Sequence, residues 1–156
     1  MQEMNDSVNI TEQRPSTARR ISSSNRQASG SHDYKEATGR VTVEFEAGER
    51  YANPMGTLHG GVLCDIADAA MGVAYRSTLA EGETFTTIEL KINFLRPVWK
   101  AKLHAEAKVV HAGKTVGLIE CDILDEQQRL VARASSTCMA LSGQRARGRE
   151  LPAELN

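Results

Sequence analysis

The stretch PMGTLHGGVLCDIADAA, residues 54–70, sets Gly60 and Gly61 directly before a long apolar segment. Inside a helix each glycine costs roughly 1 kcal/mol relative to alanine. The same segment carries Asp65 and Asp68 among residues that otherwise read as buried. The spacing predicts one helix from about Thr57 or His59 to Leu79, closed by AEGE at 80–83. Its apolar residues, from Leu58 and Val62 to Val73 and Ala74, lie nearly all round. Such a helix is buried, not amphipathic on a surface.

The flanks tell what covers it. Before the helix, Val41, Val43 and Phe45 alternate with Thr42, Glu44 and Glu46, a half-buried strand by period two. The segment ERYANPMGT is a loop, marked by Asn53-Pro54 and Gly56. After it, Ile88, Leu90, Ile92 and Phe94 alternate with Glu89, Lys91 and Asn93. Leu103, Ala105, Ala107 and Val109 do the same against His104, Glu106 and Lys108. TVGLIECDILDE and RLVARASSTCMAL complete four strands in succession, with HAGK and DEQQ as hairpin turns. Strands at hairpin spacing make an antiparallel sheet, so the fold class is α+β. One small sheet surrounds such a helix on most sides only by curling around it.

The outer segments are different. Residues 1 to about 36 are rich in Ser, Gln, Asn and Arg, and read as a flexible polar leader. Residues 143–156 read as a polar, locally basic tail, which leaves one domain over 37–142. The 156 residues are enough to bury a core without staples. A net charge of −1 gives no field that points to nucleic acid or an anionic membrane. Asp65, Asp68 and Arg76 interrupt the longest apolar run, so no membrane span is expected. Cys64, Cys121 and Cys138 stand far apart and read as reduced, which with the missing secretory signal suggests the cytoplasm.

The glycines leave the first helical N–H groups without side-chain cover, at the positive end of the helix dipole. That suits an anion or a developing oxyanion, though glycines also relieve crowding where a helix meets a sheet. Asp68 lies eight residues beyond Gly60, roughly 12 Å along the axis, too far for both to act on one small carbonyl. Either the carboxylate is structural or the site joins two subunits. Asp65, nearer the N-terminus, is read as structural. His104 and His111 are seven apart and His32 is in the leader, so no metal is expected. GxSxG, P-loop and GxGxxG motifs are absent, which removes the serine hydrolase, NTPase and Rossmann readings.

NPMGTLHGGVLCDIADAA, followed by TTIELKINFLRPV, resembles the hotdog-fold acyl-CoA thioesterases of the phenylacetate-degradation type, over about residues 38–141. The shared pattern is Asn53, then His59-Gly60-Gly61, an acid at Asp68, and Thr87 entering the next strand. The resemblance implies a long helix wrapped by a curved antiparallel sheet, in a dimer with two sites across its interface, commonly paired into a tetramer. His59 and Gly60 of one subunit would then face Asp68 and Thr87 of the other. Gly60 would donate its N–H to the oxyanion, and Asp68 would act as general base or as nucleophile. Thr87 would orient Asp68 or the water, while Asn53 and His59 fix the loop and help position the thioester. No separate cofactor is implied, because coenzyme A is part of the substrate. Its phosphates make Arg96, Lys100 and Lys114 candidate contacts. An acyl-CoA hydratase is the nearest rival, but no Asp precedes Asn53 and His59 stands five residues beyond Pro54. A non-catalytic acyl-CoA sensor is the other, and the leader shows no helix-turn-helix pattern to go with it.

Overall fold

The computed structural model describes residues 34–149. The leader up to residue 33, with His32, and the tail beyond 149 lie outside the described residues. Six strands form one sheet: β1 (Tyr34–Ala37), β2 (Arg40–Ala47), β3 (Thr84–Phe94), β4 (Ala101–Ala112), β5 (Val116–Leu124) and β6 (Leu130–Leu141). Every pairing is antiparallel and the order is β1-β2-β4-β5-β6-β3. β1 was not expected, since composition assigned residues 34–36 to the leader. Its pairing with β2, not its polarity, makes it a strand. Residues 143–146 of the expected tail form a short 3-10 turn.

Among the described residues the single α-helix, α1 (Gly60–Arg76), packs across the middle of the sheet, chiefly on β2, β4 and β5. Leu63, Ile66, Ala67, Ala70, Met71, Ala74 and Tyr75 are its buried residues, the i, i+3, i+4 stripe of a helix lying on one surface. Burying the larger of these side chains stabilises the fold by roughly 1.5–3 kcal/mol each. They meet Val41, Val43 and Phe45 of β2, Leu103 and Ala105 of β4, and Ile119, Cys121 and Ile123 of β5. Burial pushes the Cys121 thiol up to about 12, so it sits in this core as a neutral apolar group.

The opposite face of α1 is open, which corrects the expectation of a helix covered nearly all round. Gly61, Asp65, Asp68 and Ala69 are exposed, so neither acid is buried. Apolar residues such as Ala69 give no sign by composition of which side the sheet takes.

The two sheet edges are unequal. β1 is a four-residue strand, whereas β3 runs for 11 residues with one side unpaired. The β5–β6 turn is tied down by Asp125, whose Oδ1 accepts from the Gln127 and Arg129 amides at 3.0 and 2.9 Å, with Gln128 at φ 60°. The β4–β5 turn falls at the β3 end that holds Thr86, because Val116 pairs with Met139 and Met139 with Thr86.

Candidate active site

The loop before α1 is built around Asn53. Its Oδ1 accepts from the Met55 and Thr57 amides at 2.9 and 3.2 Å, and its Nδ2 donates to Thr57 Oγ1 at 2.8 Å. Every polar group of this side chain is thus engaged within the loop. The Leu58 amide donates to the Val98 carbonyl at 2.6 Å and the His59 amide to Tyr51 at 2.9 Å, which anchors the chain as it enters the helix.

His59 is the N-cap. Its Nδ1 accepts from the Gly61 N–H at 3.0 Å, a role that leaves the ring proton on Nε2, and the residue is exposed. The Val62 N–H donates to the His59 carbonyl at 3.0 Å. Among the described residues the Gly60 N–H makes no hydrogen bond, so the first turn of α1 leaves this one donor unengaged. Phe94, at the far end of β3, explains the glycine. A Cβ on Gly60 would meet its ring at 3.0 Å, and the ring itself is 54% exposed.

Two turns on, Thr87 Oγ1 donates to Asp68 Oδ1 at 3.3 Å and leaves Oδ2 free. Behind them Cys138 Sγ lies 4.0 Å from Thr87 Oγ1 and 3.7 Å from Ser136 Oγ. Burial holds the Cys138 thiol above its ordinary value, against hydrogen bonds to Ser136 and Thr87, and the Asp68 charge pushes it the same way as burial. The thiol therefore stays protonated. A bulge interrupts β3 between Thr87 and Glu89, and period two fails there. Ile88, expected on the apolar face, is 58% exposed, while Thr87 pairs opposite Cys138.

The structure thus brings Asp68 to Thr87 and places Asn53, His59 and Gly60 together, as two groups separated along α1. Their separation of roughly 12 Å follows from eight residues of helix rise. Asp65 is exposed and lies beyond the first turn, where the dipole fades, so the helix terminus does not account for it. Arg96 and Lys100 are exposed in the loop after β3, at the Gly60 end. Lys114 is exposed in the β4–β5 turn, at the Thr87 end. Sequence reading did not single out Phe94 as the neighbour of Gly60, nor Ser136 and Cys138 behind Thr87.

Against known proteins, the thioesterase superfamily description matches residues 55–132. A Saccharolobus solfataricus protein whose name gives it as an esterase is 36% identical over 96 residues, which cover 62% of this chain and 68% of that protein. The 1,4-dihydroxy-2-naphthoyl-CoA hydrolase of Listeria monocytogenes is 28% identical over 99 residues, 64% of this chain and 80% of that one. The solved Escherichia coli PaaI protein, from the phenylacetic acid degradation operon, has a TM-score of 0.67 at 29% identity, covering 72% of this chain and 80% of that one. The chain spans about two thirds of the length of the first curated relatives, 68, 65 and 65%. The long helix on a curved antiparallel sheet is the hotdog fold of these neighbours.

Proposed function

This chain belongs to the thioesterase superfamily, and from that premise we propose that it hydrolyses the thioester of an acyl- or aryl-CoA to the free acid and coenzyme A. The observation that carries the reading is the single unengaged N–H of Gly60 at the start of α1. A thioester carbonyl pointed at it gains an oxyanion donor exactly where the helix dipole favours negative charge, worth on the order of 3 kcal/mol in comparable sites. Asp68, oriented by Thr87 through Oδ1, then uses Oδ2 either to deprotonate a water or to attack the carbonyl carbon. The exposed His59, next to Gly60 in the chain, would offer its Nε2–H as a second donor for the thioester. Asn53 holds the loop that carries both.

Gly60 and Asp68 of one chain cannot share a carbonyl, so the site is completed by a second copy. The unpaired edge of β3 supports this, because a long open edge is a template for another strand. An antiparallel two-fold pairing centred on Leu90 sets Glu89 opposite Lys91 twice, a favourable cross-strand pair. Centring it on Glu89 or Lys91 opposes like charges. Passing over the extra residue Ile88, the Leu90 register sets Ile92 opposite Thr87 of the second copy, and Phe94, with Gly60, follows two residues along the same face, close to that copy's Thr87 and Asp68. Lys114 of one copy then approaches the end that holds Arg96 and Lys100 of the other, a basic rim suited to coenzyme A phosphates. Val116 and Leu118, exposed on the sheet face away from α1, offer a further surface on which dimers pair into a tetramer. Among the described residues no helix is long and apolar enough to cross a membrane, and three free cysteines fit a reducing cytoplasm.

The test is hydrolysis of an acyl-CoA panel by wild type and by Asp68→Ala. The expected loss is about 10²–10⁴-fold in kcat. Full activity in Asp68→Ala removes this assignment, and binding without turnover in wild type favours a sensor. Gly60→Pro removes the N–H while proline remains tolerated at the first helical position. Mixed with Asp68→Ala it is expected to regain about a quarter of wild-type activity, since half the dimers are mixed and each then holds one intact site. No recovery from folded chains argues against the shared site.

A further inference from the structure

We propose that Ser136 is a positioning residue for Asp68, acting through the β3 bulge and Thr87; this rests on the reading of Asp68 as the group that carries hydrolysis. β6 alternates regularly, with Ala132, Ala134, Ser136 and Cys138 turned toward the core. Two of these four are alanines, and alanine would fill the position of Ser136 equally well. A hydroxyl that is 0% exposed in such a row requires a partner, and it has one: Ser136 Oγ donates to the Glu89 carbonyl at 3.0 Å.

Glu89 is the residue where β3 resumes its regular pairing after the bulge. If Ile88 were paired as a regular strand residue, strict alternation back from Leu90 would turn Ile88 inward and Thr87 outward. The bulge resets the phase, so Thr87 and Leu90 both face the core side although they stand three positions apart, and Thr87 reaches Asp68. A bulge locally disrupts the ladder and leaves its extra residue unpaired. Ser136 holds that break from the adjacent strand. Cys138 occupies the space between Ser136 and Thr87, 3.7 Å from one oxygen and 4.0 Å from the other, with a protonated thiol that has one hydrogen to give. Donated to Thr87 Oγ1, it directs the Thr87 hydrogen toward Asp68. Ser136 touches no substrate in this arrangement; its effect passes through Thr87.

The experiment is a double-mutant cycle in the full chain, read as thiol release from an acyl-CoA that the wild type turns over. Ser136→Ala is expected to lower kcat by about fivefold to tenfold with KM within about twofold, and to add less than about twofold in a Thr87→Ala background. Ser136→Cys keeps the shape with a weaker donor, and its kcat is expected between the two; it carries the same cycle if Ser136→Ala does not fold. Additive losses, or an unchanged kcat in Ser136→Ala, overturn the positioning role while leaving Asp68 in place. A folded wild type that turns over no acyl-CoA overturns the reading of Asp68 and this proposal with it.

Discussion

The two ends of α1 use one device, a glycine under an aromatic ring, for opposite ends. At the C-terminal end Tyr75 is 0% exposed and lies on Gly117 of β5, so tightly that a Cβ there would sit 2.2 Å from its ring. Phe85 closes the same end with an edge-on contact at 5.6 Å. At the N-terminal end Phe94 covers Gly60, but its ring is half exposed and a Cβ would stand 3.0 Å away. The buried contact fixes the height of the helix above the sheet. The open one leaves a backbone N–H within reach of a ligand, with a ring beside it that can yield. A glycine therefore says only that something comes close; the burial of that neighbour says whether packing or chemistry is at stake.

Three substitutions separate the ends. Gly117→Ala should be the most damaging, lowering stability by about 2–3 kcal/mol in denaturant titration, because Tyr75 has no room to move. A loss below about 0.5 kcal/mol would mean that the closed end is not the anchor it looks like. Gly60→Ala should leave stability within about 0.5 kcal/mol yet lower kcat/KM about tenfold, through the displaced ring beside the N–H. Adding Phe94→Ala should recover part of that activity; failure to recover would detach the ring from the effect. His59→Ala should cost about 1 kcal/mol as the Gly61 N–H loses its cap, seen as a thermal midpoint a few degrees lower, and should lower kcat/KM less than Gly60→Ala does as the Nε2–H is lost.

Much of this was legible in the order of residues. Period two marked β2 and β4, and the glycine pair marked the start of α1, because these signals are local. The reading of Asp68 with Thr87, 19 residues apart, came from a motif resemblance, and the structure does join them. What failed was phase and partnership. Ile88 continued an unbroken alternation on paper, and nothing in its identity announces a bulge that depends on a serine in β6. Tyr34 to Ala37 looked like the rest of the leader because an edge strand of four residues needs only a neighbour. Asp65 and Asp68 looked buried because small residues such as Ala69 are equally at home on the open face.

The bulge in β3 has a bearing on how this molecule can change over generations. Most loops absorb a gained or lost residue at little cost, and most strand positions exchange one side chain for another. At Ile88 both hold. Without that single residue Thr87 and Glu89 would be direct neighbours opposite Cys138 and Thr137, a regular ladder that keeps Thr87 on the side that meets α1. Descendants can therefore change or lose what stands at this position, and the trait that the site guards is the pairing of Thr87 with Cys138, not the length of the strand before it.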